Sequence, residues 1–201
     1  MVDLRKAVTG VVLAGGRSLR MGEDKAFIEI EGMPIVQRIC RLFLHLFQEV
    51  IIVTNHRERY LQFDVEVYDD LIPDLGALGG LYTAIASATF TYSFVVACDM
   101  PFLRKGVIDY LTQKRDNYDV IIPRTRDGFQ PLHAIYSKNC IEPIQTVLKQ
   151  NKRRIIDLFP LVHLNIVDAN EFYSLDPNME SFININTPED LFLYTKRGPQ
   201  E

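Results

Sequence analysis

The chain has 201 residues, of which 47% are hydrophobic and 24% charged, and its formal net charge is -4. That length suits one domain, 1–201, with a hydrophobic core large enough to fold without a disulfide or a structural metal. The acidic balance disfavours a general polyanion binder, so no nucleic-acid partner is expected and any phosphate site must be a local basic spot.

Cys40, Cys98 and Cys140 lack C-x-x-C spacing and read as buried thiols in a reducing compartment. The four histidines, His45, His56, His133 and His163, show no zinc-ligand spacing. Residues 1–6 include Asp3 and hold no signal-peptide core, and no apolar run is long enough to span a bilayer. A cytoplasmic protein with no membrane partner is the expectation.

Val8 to Ala14 is a β-branched, apolar run that predicts a buried strand. It breaks into Gly15-Gly16-Arg17-Ser18-Leu19-Arg20-Met21-Gly22-Glu23-Asp24-Lys25. A glycine pair after a buried strand permits positive φ and close approach of backbone to a ligand. Successive N–H groups in such a turn form an anion-binding nest, ringed here by Arg17, Arg20 and Lys25. Loop composition alone also fits an ordinary solvated turn. The spacing excludes two familiar phosphate loops. Lys25 is followed by Ala26 rather than the Ser or Thr of a P-loop, and no G-x-G-x-x-G opens a helix.

Ala26 to Glu31 reads as a short extended piece, and Pro34 as the first turn of a helix reaching about Phe47. Ile35, Ile39, Leu42, Phe43 and Leu46 give that helix its apolar stripe. Glu49 to Thr54 is a second strand, ending at Asn55-His56, and Val65 to Tyr68 a third, closed by Asp69-Asp70. A second glycine loop, Gly76-Ala77-Leu78-Gly79-Gly80, leads into a helix over Leu78 to Ala88. Tyr92 to Ala97 is a fourth strand, which puts Asp99 at a strand tip, where open α/β sheets bind ligands.

Arg104 to Arg115 reads as a helix, Val120 to Pro123 as a fifth strand and Arg124 to Gly128 as a turn. Gln130 to Tyr136 returns as a strand antiparallel to its neighbour. Cys140 to Lys149 is helical, with Pro143 tolerable if it falls in the first turn. A basic connection, Asn151 to Arg154, precedes a short helical piece from Ile155 and a strand over Val162 to Val167. Thr187-Pro188-Glu189-Asp190 then carries an N-cap, a first-position proline and a capping-box acid for a last helix. The pattern predicts a three-layer α/β/α domain, Rossmann-like, with a mostly parallel sheet and one antiparallel strand.

Asp70 and Asp99 each end a strand. Facing the first glycine loop, they would complete the parts needed for nucleotidyl transfer: donors for a triphosphate and an acid to hold Mg²⁺. As solvated turn carboxylates they would carry no chemistry. Arg20 could grip phosphate in two-pronged fashion, and Lys25 as a point charge.

Leu13-Ala14-Gly15-Gly16, Arg20-Met21-Gly22 and Asp24-Lys25 together resemble the opening motif of the nucleotidyltransferase superfamily. Cys98-Asp99-Met100-Pro101-Phe102, Gln130-Pro131-Leu132-His133-Ala134-Ile135-Tyr136 and the stretch from Phe182-Ile183-Asn184-Ile185-Asn186 to Leu191 resemble three later motifs. All four in this order are similar to those of the molybdenum cofactor guanylyltransferases, over nearly the whole chain. The resemblance implies transfer of GMP from GTP to the phosphate of molybdopterin, with Mg²⁺ and release of pyrophosphate. It implies that Leu13, Ala14, Gly15, Gly16 and Gly79 bind the nucleotide, that Asn55 lies near the guanine, and that Asp70 contacts the nucleotide. Asp99 would be the Mg²⁺ ligand, with Lys25 and Arg20 beside it in catalysis, and Asn184 and Asn186 would line the pterin side.

Asn184 and Asn186 could equally fix the final turn by hydrogen bonding. Arg153 and Arg154 are candidates for the acceptor phosphate or for solvated helix-end charges, and His133 reads as structural. Proteins that deliver molybdopterin or mature molybdoenzymes are the partners implied. One departure stands out: the family reads G-P-L-x-G where this chain has Ala77, which bears on base selectivity. Molybdopterin cytidylyl transfer, sugar-phosphate nucleotidyl transfer and a non-catalytic delivery module are the alternatives.

Overall fold

Every residue of the first strand, β1 (Val8–Leu13), is buried, as an unbroken apolar run requires when both sheet faces are covered. The computed structural model describes residues 7–15, 25–186, 190 and 192. The remaining strands are β2 (Glu29–Ile30), β3 (Met33–Pro34), β4 (Glu49–Thr54), β5 (Glu66–Asp69), β6 (Tyr92–Ala97), β7 (Val120–Thr125), β8 (Gly128–Phe129), β9 (His133–Ser137) and β10 (Leu164–Asp168). The helices are α1 (Ile35–Leu46), α2 (Gly76–Ser87), α3 (Lys105–Gln113) and α4 (Ile141–Lys149).

The main sheet runs β10-β7-β9-β6-β1-β4-β5, with β8 paired to β7, while β2 and β3 form a separate antiparallel ribbon. β9 is antiparallel to both β6 and β7; β1 pairs in parallel with β4 and β6, β4 with β5, and β7 with β10. Strand alternation sorts the apolar residues into two cores. On one face Val8, Val12, Ile52 and Val96 pack with α1 and α3; on the other Val11, Leu13, Ile51, Val53 and Val95 pack with α2 and α4. Three α/β/α layers result. Among the described residues no helix is long and apolar enough to cross a membrane.

Three local expectations change. Lys25–Phe27 is a 3-10 turn, and only Glu29–Ile30 of the next stretch is extended. β7 runs on to Thr125, because Arg124 pairs with Asp168 of β10 and its guanidinium grips that carboxylate at 2.7 and 3.0 Å. β9 begins only at His133, since Pro131 cannot donate to a ladder and the His133 N–H turns back to the Gln130 carbonyl. Pro143 does fall in the first turn of α4. Cys40 and Cys140 are buried and their thiols pushed up to about 12 by burial, whereas Cys98 is half-buried.

Candidate active site

The chain lays β4 and β5 outward from one side of β1, then returns to place β6 on the other. The order therefore reverses between β1 and β6, and the crevice beyond their carboxyl ends is where such sheets take ligands. The tips are tied together. The Cys98 N–H donates to the Leu13 carbonyl at 3.1 Å, and the Ala14 N–H to the Val53 carbonyl at 2.8 Å. Buried Thr54 adds a hydroxyl bond to the Ala14 carbonyl at 3.0 Å. Leu13 and Ala14 are thereby fixed, while Gly15 is exposed with open space where a Cβ would stand. Asn55 is exposed at the neighbouring tip. Thr54 was not legible as a site residue, since a threonine at a strand end has many uses.

Three segments far apart in sequence converge here. Lys25 Nζ donates to Asn186 Oδ1 at 2.6 Å and lies 3.8 Å from Asp99 Oδ2. The Ile185 N–H donates to the Asp99 carbonyl at 2.9 Å. The side chains of Lys25 and Asp99 are 17% and 20% exposed, so this charge pair is largely withdrawn from water but still reachable. Burial pushes the Asp99 carboxyl above its ordinary range, and the Lys25 ammonium opposes that only in part. Among the described residues, Asp99 Oδ1 is buried with no hydrogen-bond partner. A buried carboxylate oxygen without a donor is costly, and an oxygen-seeking cation is a partner that such an oxygen could hold.

Asp70 is differently employed. Its Oδ1 accepts from the Thr83 hydroxyl at 2.8 Å and the Ile72 N–H at 3.1 Å, and Thr83 Oγ1 in turn accepts the Leu71 N–H at 2.9 Å. The carboxylate thus folds the second glycine loop against α2. A Cβ on Gly79 would stand 2.8 Å from the Ile72 carbonyl oxygen and 3.4 Å from Asp70 Oδ2, so only glycine lets that loop close. Ala77 stands where the resemblance leads one to expect proline, yet the helix still starts at Gly76, whose φ of +62° sets the bend. Thr83, fully buried, organises this corner and carries no signature that sequence alone would flag.

Of the other expected site residues, Gly16 and Arg20 lie outside the described residues. Asn184 is exposed, on the same segment as Asn186. Arg153 Nη1 reaches the Asp74 carbonyl of the second glycine loop at 3.4 Å, and Arg154 forms an exposed pair with Asp157 at 2.9 Å. No described contact brings either arginine to Lys25 or Asp99.

His133 is fully buried, its ring 4.8 Å from that of Phe182 and 5.3 Å from that of Phe94. Burial pushes its pKa down to about 3, with the Ser181 backbone and the Asp176 carboxylate offsetting this only slightly. The unfolded imidazole titrates near 6.5, so between these values the unfolded chain binds the extra proton. Stability from the neutral ring is complete above pH 6.5 and falls as the pH drops through that window. Lowering the pH from 7 to 5 should cost about 2 kcal/mol at this residue. Denaturant titrations should show a shallower pH loss for His133→Leu, and parallel curves would assign the acid sensitivity elsewhere.

A family model described as "MobA-like NTP transferase domain" matches residues 10–164. A protein of Pelotomaculum thermopropionicum named "Probable molybdenum cofactor guanylyltransferase" is 40% identical over 183 residues, covering 91% of this chain and 89% of that one. The "Molybdenum cofactor guanylyltransferase" of Desulfosudis oleivorans is 34% identical over 187 residues, covering 92% and 93%. Among solved structures, "Molybdopterin-guanine dinucleotide biosynthesis protein A" from Archaeoglobus fulgidus superposes with a TM-score of 0.82 at 24% identity. It covers 94% of this chain and 97% of that one. That likeness shows the fold.

Proposed function

Because the chain belongs to the MobA-like NTP transferase family and its relatives are named molybdenum cofactor guanylyltransferase, we propose that it transfers GMP from GTP to molybdopterin. It is a nucleotidyltransferase of molybdenum cofactor biosynthesis. The observation that carries the finer reading is the meeting of Lys25, Asp99 and Asn186 beyond the β1–β6 crevice. In the proposed reaction an oxygen of the molybdopterin phosphate attacks the α-phosphorus of GTP. A new P–O bond forms, the bond from the α-phosphorus to the bridging oxygen of the leaving group breaks, and pyrophosphate departs.

No protein nucleophile is needed, so rate comes from alignment and charge stabilisation. Leu13 and Ala14, fixed by their ties to β4, present backbone to the nucleotide, and Gly15 leaves the approach clear. Gly16, Asn55, Asp70 and Gly79 complete the nucleotide side. Lys25 meets the phosphates with its ammonium, and Arg20 joins it in catalysis. Asp99, whose buried Oδ1 has no hydrogen-bond partner among the described residues, would hold Mg²⁺, and the ion would supply positive charge to offset that of the leaving group. Asn184 and Asn186 would face the acceptor, Arg153 and Arg154 being secondary candidates for its phosphate. The setting proposed is the cytoplasm, with molybdopterin-delivering and molybdoenzyme maturation proteins as partners.

The test is turnover of the purified chain with molybdopterin, Mg²⁺ and each of the four NTPs, followed by pyrophosphate release. GTP is expected to be used in clear preference. Preference for CTP would convert the assignment to cytidylyl transfer, the base on which Ala77 bears. Tight GTP binding without product would make the chain a delivery module.

A further inference from the structure

Asn186 is held at three points. Its own N–H donates to Asp190 Oδ2 at 2.9 Å, and the preceding Ile185 N–H donates to the Asp99 carbonyl at 2.9 Å. Its side-chain oxygen accepts the Lys25 ammonium at 2.6 Å. An ammonium only donates, so the amide has to turn its oxygen to Lys25 and its NH₂ outward. Lys25 sits in a single 3-10 turn, from which a flexible four-carbon stem could carry its charge in many directions. The 3.8 Å separation from Asp99 Oδ2 is too long for a hydrogen bond. Asn186 therefore supplies the one direct hydrogen bond found for the ammonium among the described residues.

We propose that Asn186 is a positioning residue for the nucleotide: it aims Lys25 at the triphosphate, in addition to any contact it makes with the acceptor. The inference rests on the reading of this crevice as a nucleotidyl-transfer site. The physical reason is preorganisation, since a long cation already fixed in direction loses less freedom when phosphate arrives. It also joins the two halves of the site. The segment from Ile183 to Asn186 is locked to the Asp99 carbonyl and to Lys25 at once, so seating the acceptor-side segment and ordering the nucleotide anchor become one event.

A double-mutant cycle on nucleotide affinity tests this, with Mg²⁺-GTP as the titrant in calorimetry on the whole chain. The four proteins are wild type, Asn186→Ala, Lys25→Met and the double variant, each checked for unchanged thermal unfolding. Asn186 is exposed, so alanine leaves the packing alone. Asn186→Ala should weaken GTP binding about 5- to 10-fold when Lys25 is present and less than about 2-fold when Lys25 is methionine. Equal losses in both backgrounds, or none in either, overturn the proposal while leaving the nucleotide reading in place. A wild type that binds none of the four NTPs overturns that reading and this proposal with it.

Discussion

Asp99→Asn is expected to lower Mg²⁺-dependent turnover by roughly 10³-fold, an effect of about 4 kcal/mol on the barrier. The fold should survive. Asparagine keeps the shape and one oxygen, so the tip of β6 retains its backbone ties to Leu13 and Ile185. What it loses is the negative charge that a hard cation requires. That charge is poorly provided for among the described residues: burial raises the Asp99 pKa, Oδ1 has no donor there, and the Lys25 ammonium stands 3.8 Å from Oδ2. Removing it should leave the melting temperature unchanged or slightly higher, because an unmet buried charge costs more than a neutral amide. Loss of function with gain of stability separates a ligand from a packing residue. Wild-type rates in Asp99→Asn would take this carboxylate out of the mechanism, and a sharp drop in melting temperature would make its role structural. Asp70 offers the contrast, since its Oδ1 is already committed to Thr83 and Ile72.

Gly10→Ala should destabilise the protein by about 2–3 kcal/mol, or about 4–12 °C in melting temperature. Gly10 lies in the middle of β1, the central parallel strand, where alanine would ordinarily be no worse than glycine. Here the added Cβ would stand 2.5 Å from Phe47 Cδ2 and 2.7 Å from Phe43 Cδ2. Those rings belong to a closed cluster: Phe43 meets Phe47 edge-on at 5.1 Å, and both lie 6.0 Å from Phe94. Neither ring can swing aside without disturbing the whole face between α1 and the sheet. A chemical-denaturation midpoint equal to wild type would show that the cluster relaxes freely. Restored stability in Gly10→Ala with Phe47→Leu would confirm the clash as the cause.

Much of this architecture follows from local sequence. β4 and β6 keep the bounds read from their apolar runs, and α1, α2, α3 and α4 fall within a few residues of theirs. Buried parallel strands and amphipathic helices announce themselves because each residue's period is set by its own backbone. The misread boundaries are those where another element intervenes. Arg124 and Thr125 became strand because β8 and β10 supplied partners, and Gln130 to Leu132 did not because Pro131 blocks the ladder.

The same division holds for the site. Its residue types were legible from the glycine pair, Lys25, Asp70 and Asp99, and the motifs pointed to a nucleotidyltransferase. Sequence by itself determined which chemistry is available and on which strand tips it stands. Only the tertiary structure decided which groups meet. It bound Asp70 to Thr83 in a structural corner, left Asp99 Oδ1 without a donor among the described residues, and carried Asn186 across 161 positions to Lys25. Hydrogen bonds of that range depend on the packing of whole elements, and no local pattern encodes them. The sheet order that sets β6 beside β1 is the physical reason the three segments share one crevice.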